Sequence, residues 1–426
     1  MSNIPPSDFF VYRDGDLFAE GVSLRDIVRE YGTPTYVYSH SAIGNAFHAI
    51  DTALKPLPHS LAYAVKANSN LAILRILSSL GCGADIVSGG ELQKALKAGF
   101  QPDHIVFSGV GKTNDELRFA IETGISAIHI ENPQEIERIE SICAQLNRTA
   151  SVCLRVNPNV DPQTHPYIAT GLRESKFGLD FNSARKLFPS LIGSKQIRFV
   201  GLATHIGSQL GSAQPLAEAV TLLADLAQEA IDAGARFSTL DVGGGWPLSY
   251  GHEAKPYPPP SAFGDAIKAG LSRSRLSLTG IRIATEPGRA LVGDAGVLLS
   301  EVLYEKQQGD RRFLVVDAAM TELIRPALYG AHHAIVPLNE PKDATFERVD
   351  VVGPVCESGD FLAKDREMPP LKTGDVIAIR GAGAYGREMA MSYNSRPAAA
   401  EVLVDANTHR LVRRRGDAAT LWALEE

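Results

Sequence analysis

Eight short apolar runs, rich in valine, isoleucine and alanine, recur between residues 60 and 290. They are Leu61 to Lys66, Gly83 to Val87, His104 to Phe107, Ala127 to Ile130, Ser151 to Val156, Phe199 to His205, Thr239 to Val242 and Gly280 to Thr285. Between them lie longer pieces, such as Glu91 to Gly99 and Leu216 to Ala233, in which apolar residues return at helical spacing. The helical pieces tend to close on glycine, as at Gly81, Gly99, Gly124 and Gly234, the residue favoured just past a helix C-terminus. A strand followed each time by a crossover segment implies a parallel sheet, and eight repeats close a (β/α)8 barrel of the TIM type. An open doubly wound sheet is the alternative. The carboxyl ends of the runs favour the barrel, because they present Lys66, Asp85 with Ser88, Ser108, Glu131 with Asn132, Arg155 with Asn157, His205, Gly243 to Gly245, and Glu286 with Arg289. In a barrel all of these converge on one mouth.

The pattern changes after about residue 295. Val297 to Tyr304, Arg312 to Asp317, Arg348 to Val355, Val376 to Arg380 and Glu401 to Val404 read as strands with little helix between them, so a second, mostly antiparallel β domain is expected. Phe9 to Tyr12 reads as a strand and Leu24 to Tyr31 as a helix, both packing on that domain. The expected division is a barrel over 38–290 and a β domain made of 1–37 and 291–426. The proline-rich stretch Glu253 to Pro260 reads as a surface loop.

A formal charge of -7 and no basic run longer than Arg413-Arg414-Arg415 argue against a nucleic-acid footprint. The 4 cysteines, Cys82, Cys143, Cys153 and Cys356, show neither metal-ligand spacing nor a disulfide framework, so no metal is expected and a reducing cytoplasm fits. Met1 to Pro6 lacks the charge and apolar core of a signal peptide, and no apolar run is long enough to span a bilayer.

Within this frame a few residues point to chemistry. Ala62, Ala64 and Lys66 share a strand face, which would leave the Lys66 amine partly desolvated and able to form a Schiff base with an aldehyde. On its own, such a lysine is more often a surface residue. Gly243-Gly244-Gly245 and Glu286-Pro287-Gly288-Arg289 follow the seventh and eighth runs, the habitual phosphate site of such barrels. Lysine and phosphate cradle together suggest pyridoxal phosphate, whose ring nitrogen needs a carboxylate, here Glu286, and whose ring face needs a flat neighbour, here His205. Ser208 is available to the phosphate. Cys356 beside Glu357, and Tyr385 among Gly381, Gly383 and Gly386, also look chemical, although a buried thiol and a glycine-rich bend are the commoner meanings.

Taken together, Tyr63 to Asn68, His205 to Gln209, Gly243 to Gly245, Glu286 to Arg289, Cys356 to Asp360 and Gly383 to Gly386 resemble the pyridoxal-phosphate-dependent decarboxylases of the alanine-racemase-like fold (fold type III). The branch most resembled is the diaminopimelate decarboxylases, through His165 to Gly171, Lys176 to Gly178, Ile324 to Tyr329 and Tyr393 to Pro397. The resemblance implies that Lys66 carries the cofactor, that His205 stacks on its ring, and that Glu286 holds the ring nitrogen. Asp85, Ser208, Gly244, Gly245, Gly288, Arg289 and Tyr385 would complete the cofactor set. Arg289, Arg325, Tyr329, Glu357 and Tyr385 would surround the substrate, and Cys356 would donate a proton. It also implies a homodimer in which Cys356 and Glu357 reach the neighbouring subunit's site. The reaction implied is decarboxylation of meso-2,6-diaminopimelate to L-lysine.

Elementary chemistry is consistent with these roles. Arginines can bind a distal carboxylate bidentately and Glu357 can pair with an ammonium, whereas ornithine or lysine as substrate would leave a distal-carboxylate arginine unmatched. The alternative is a decarboxylase of the same fold acting on another amino acid, such as ornithine, lysine, arginine or an intermediate of secondary metabolism. A non-catalytic cofactor-binding barrel would not need Cys356 or Tyr385. The chain departs from the family's expected leucine-rich continuation after Gly245, where it has Trp246-Pro247-Leu248-Ser249-Tyr250, a difference that bears on the substrate more than on the cofactor.

Overall fold

The computed structural model describes residues 7–161, 171, 175–253, 255–342 and 344–426. These fall into two compact units, one of Ala46–Pro247 with Pro256–Ala290, the other of Met1–Asn45, Leu248–Lys255 and Leu291–Glu426.

In the first unit eight strands form a closed barrel: His59–Ala64, Gly83–Ile86, Ile105–Phe107, Ala127–Ile130, Ala150–Arg155, Ile197–Ala203, Thr239–Asp241 and Arg282–Thr285, numbered one to eight below. Strand eight pairs in parallel with strand one through Ile283–His59, Ala284–Ser60 and Thr285–Leu61, which closes the sheet and excludes the open doubly wound alternative. Small side chains line part of its wall, where Ala127, Cys153 and Ala203 pack with Val106 and Val200. The helix Gly89–Ala98 stops at Gly99 and Asn114–Thr123 stops at Gly124, each glycine in the left-handed region that side chains with a Cβ enter at a cost. Two of the polar strand-end residues prove to be helix caps. Ser88 accepts the Glu91 N–H and Asn132 the Gln134 N–H, which gives both a structural role.

Strand one departs from expectation. It ends at Ala64, and Val65–Ala67 forms a 3-10 turn. The Tyr63 hydroxyl donates to the Asn68 carbonyl at 2.9 Å, and Asn70 caps the next helix by accepting the Ala72 N–H. These bonds turn the chain before strand alternation reaches Lys66, so the lysine does not continue the face of Ala62 and Ala64.

The second unit holds a three-stranded sheet at the N-terminus and a nine-stranded mixed sheet. Among the described residues, the larger sheet is parallel where Arg311–Val316 meets Glu347–Val352 and where Thr35–Ser39 meets Ala400–Asp405, and antiparallel in its other pairings. One core unites the N-terminal segment with that sheet: Phe10, Leu17, Leu24 and Ile27 pack with Val37, Val297, Leu299, Ala378, Val402 and Val404. Burying such side chains stabilises by about 1.5–3 kcal/mol each, which explains why the helix Leu24–Tyr31 and the preceding strands order against it. No described helix is long and apolar enough to cross a membrane.

Candidate active site

The barrel gathers several titratable side chains at and below the carboxyl ends of its strands. Lys66 Nζ lies 3.0 Å from Asp85 Oδ2, the lysine partly exposed and the aspartate fully buried. Burial would raise the Asp85 carboxyl, but the Lys66 ammonium leads the opposing effects that leave it below the ordinary carboxylate value. Its second oxygen, Oδ1, is buried without a hydrogen-bond partner.

Behind this pair sits a cluster that sequence reasoning missed in part. His129 projects from strand four and Asp241 from the end of strand seven, and with Glu286 they place three ligand-type atoms within 4.8 Å of one another. His129 Nδ1 is 3.1 Å from Ser108 Oγ and 3.6 Å from Glu286 Oε1. Burial pushes Asp241 up to about 7, and pushes Glu286 well above its usual value with Asp241 and Asp85 adding repulsion. Burial also pushes the His129 imidazole down to about 3, Asp85 opposing and Arg155, Lys112 and Lys66 adding. The cluster is therefore poised to hold a shared proton, and a cation arriving beside Glu286 would draw that carboxyl back towards ionisation. The signal for His129 and Asp241 was a titratable residue inside an apolar strand run.

His205 follows strand six. The Gly244 N–H donates to its Nδ1 at 3.0 Å, so in the neutral ring Nε2 carries the proton. Burial, with Arg155 and Lys66 adding, pushes this imidazole down to about 3 and leaves a neutral flat ring. A Cβ at Gly244 would lie 2.5 Å from the Glu286 carbonyl oxygen, so the chain can pass here only as glycine. The triplet differs from a simple open cradle, because the Gly243 N–H is already engaged by Asp241 Oδ1 at 2.8 Å and the Gly244 N–H by His205. Nearby, Arg289 is buried and its guanidinium donates to Ser208 Oγ at 3.2 Å, uniting two residues expected at the phosphate.

Glu131 and Arg155 form a buried pair at 2.8 Å, and Glu131 also accepts the Gly109 and Gly178 N–H groups. Trp246 is buried, stacks on Phe263 at 5.3 Å and donates to Thr285 Oγ1 at 2.9 Å, which makes it part of the barrel packing.

In the other unit Arg325 opens the short helix Arg325–Tyr329 and is buried. Cys356 and Glu357 stand exposed on a turn after Glu347–Val352, and Asn394 accepts the Cys356 N–H at 2.9 Å. Tyr385 adopts the left-handed conformation at φ 55° among the small residues flanking it. Of the stretches that carried the resemblance, His165 to Thr170 lies outside the described residues.

Residues 40–293 match the family model for the pyridoxal-binding domain of pyridoxal-dependent decarboxylases. The chain belongs to this family. The decarboxylase fold therefore comes with pyridoxal phosphate as its cofactor, and the barrel is the part that matches the cofactor-binding domain. The likeness also extends through the β unit. A diaminopimelate decarboxylase of Pseudomonas aeruginosa is 47% identical over 98% of this chain and 99% of its own length. Among solved structures, diaminopimelate decarboxylase from Helicobacter pylori complexed with L-lysine has a TM-score of 0.89 at 41% identity, covering 94% of this chain and 99% of that one. The enzyme from M. jannaschii in co-complex with L-lysine has a TM-score of 0.92 at 35% identity, with 98% of each chain covered. A lysine/ornithine decarboxylase from Vibrio vulnificus, 21% identical with a TM-score of 0.78 over 90% of this chain and 97% of that one, shares the fold.

Proposed function

We propose that this decarboxylase removes CO2 from meso-2,6-diaminopimelate to yield L-lysine, as the last step of lysine synthesis, in a cytoplasmic homodimer. The observation that carries the substrate is the near-full-length likeness to diaminopimelate decarboxylases, at 47% identity over 98% of the chain.

The residues present fit pyridoxal phosphate. Lys66 offers an amine, Asp85 a counter-ion with one buried oxygen still to be satisfied, and Gly244 an approach that a Cβ would fill. In this reading Lys66 would hold the cofactor, the Glu286 carboxyl would serve its ring nitrogen and the His205 imidazole would support its ring. Ser208, Gly244, Gly245, Gly288 and Arg289 would take the phosphate, and Tyr385 is assigned to the cofactor as well. Bound pyridoxal phosphate supplies the conjugated ring that accepts the electron pair left at Cα when CO2 departs. His129 and Asp241 hold Glu286 in a buried network that can keep or yield a proton at its carboxyl. Arg289, Arg325 and Tyr329 receive substrate carboxylates, and Glu357 pairs with the distal ammonium. Cys356 returns a proton to Cα. Its exposure on a turn, together with that of Glu357, supports delivery into the neighbouring subunit's site, so that each site draws on two chains.

The test is CO2 release from meso-diaminopimelate, lysine, ornithine and arginine. Diaminopimelate is expected to exceed the others in kcat/KM by at least two orders of magnitude or so, the scale set by an unmatched buried charge. Faster turnover of a mono-carboxylate would overturn the substrate assignment.

A further inference from the structure

We propose that His333 and Tyr250 are positioning residues that set the guanidinium of Arg325 for the substrate's distal carboxylate, and so help the enzyme choose a dicarboxylate. The proposal rests on the reading of Arg325 as a substrate-binding group.

Arg325 Nη1 lies 2.8 Å from His333 Nε2. A guanidinium can only donate, so Nε2 must be the accepting nitrogen. His333 Nδ1 lies 2.8 Å from the Arg380 carbonyl oxygen, which can only accept, so Nδ1 must carry the ring proton. A single neutral tautomer satisfies both bonds. His333 is fully buried, and the Arg380 carbonyl that fixes its tautomer lies at the end of the strand Val376–Ile379. A doubly protonated ring would have no lone pair for Arg325 and would add a second cation beside it.

Tyr250 supplies the other contact. Its ring lies 4.9 Å from Arg325 Cζ and meets His333 edge-to-face at 5.1 Å. The backbone makes room for that ring at Gly381, where a Cβ would lie 3.0 Å from Tyr250 Cδ1 and Cε1. Tyr250 belongs to the stretch Trp246 to Tyr250 whose departure from the family pattern was noted above; Trp246 at its start packs the barrel, while Tyr250 at its end props an arginine.

The chemistry of the two holders matters. Neither the neutral imidazole nor the phenol ring carries a negative charge, so neither contact neutralises the guanidinium. They fix where it stands while preserving the charge and fork geometry that a bidentate carboxylate requires. A guanidinium held in place loses little further entropy when the carboxylate arrives, so the gain appears as affinity for substrates that carry that group.

The experiment is steady-state kinetics on holoenzyme carrying His333→Leu, His333→Gln, Tyr250→Leu or Arg325→Ala, with the cofactor absorbance recorded for each. His333→Leu removes the acceptor and is expected to raise KM for diaminopimelate roughly 10- to 100-fold with kcat within about threefold, the effect of a misplaced positioning group. His333→Gln, which restores an acceptor, should recover KM to within about fivefold, a rescue that general loosening would not give. Tyr250→Leu should act as His333→Leu does, and carries the test if His333→Leu gives no folded protein. If Arg325→Ala raises KM while both leucine variants leave it unchanged, positioning is refuted and the substrate reading stands. If Arg325→Ala itself leaves KM unchanged, the substrate reading of Arg325 fails first and the inference with it.

Discussion

Lys66 and Asp85 form an ion pair of 3.0 Å in which the carboxylate is wholly buried and the ammonium is partly in solvent. The asymmetry has a consequence for the cofactor. An aspartate that holds its charge at depth needs a cation beside it, and it fixes the amine at the end of the first barrel strand. Asp85→Asn keeps the shape and removes the charge. It should weaken cofactor retention at least about tenfold on dialysis, since charge-assisted hydrogen bonds are worth roughly twice neutral ones. Retention equal to wild type would remove Asp85 from the site.

Asp241 gives the protein a pH signature. Its carboxyl is raised from 3.8 to about 7 by burial, so the folded state keeps a proton that the unfolded chain releases. Folded protein therefore binds more protons between those values, and stability from this group is present at low pH and lost as pH rises through about 7. In cofactor-free protein, Asp241→Asn should gain thermal stability relative to wild type as pH is raised from 5 to 8. A difference between the two midpoints that does not change with pH would contradict the assignment.

Cys356 and Lys66 test the proposal that two subunits share each site. Cys356→Ala should bind cofactor normally and lose turnover by about two orders of magnitude, as expected for removal of a positioned proton donor. Mixing inactive Cys356→Ala and Lys66→Ala subunits should restore part of the activity, because one of the two composite sites then holds both intact groups. Absence of recovery after verified subunit exchange would mean that each site is built from one chain.

Trp246 separates packing from selectivity. Stacked on Phe263 and bonded to Thr285, it should cost about 3–5 kcal/mol on conversion to alanine, measured by denaturant unfolding, while the ranking of substrates by kcat/KM stays the same. A changed ranking with unchanged stability would place it at the substrate instead.

The barrel was legible because parallel strands covered on both faces leave unbroken apolar runs, and their polar ends mark one rim. Positions where a local bond overrides periodicity were not legible. Lys66 leaves its strand because Tyr63 and Asn70 bend the chain, and Ser88 and Asn132 are helix caps that carry the residue types of a rim. Thr35–Ser39 escaped notice because all five residues are buried, so no alternation of polar and apolar remains. Phe361–Met368 and Thr408–Arg413 escaped for another reason, because charged residues interrupt their apolar pattern. In the site, Glu286 and His205 stood at strand ends, while His129 and Asp241 lay inside apolar runs and become partners of Glu286 only when strands four, seven and eight close.

The role proposed for Lys66 is to anchor pyridoxal phosphate in this barrel. Borohydride reduction of the holoenzyme followed by peptide mass spectrometry reads that bond directly. A phosphopyridoxyl group is expected on the peptide containing Lys66 and none in Lys66→Ala protein. The same modification on another lysine in wild type, such as Lys94 or Lys112, would contradict it.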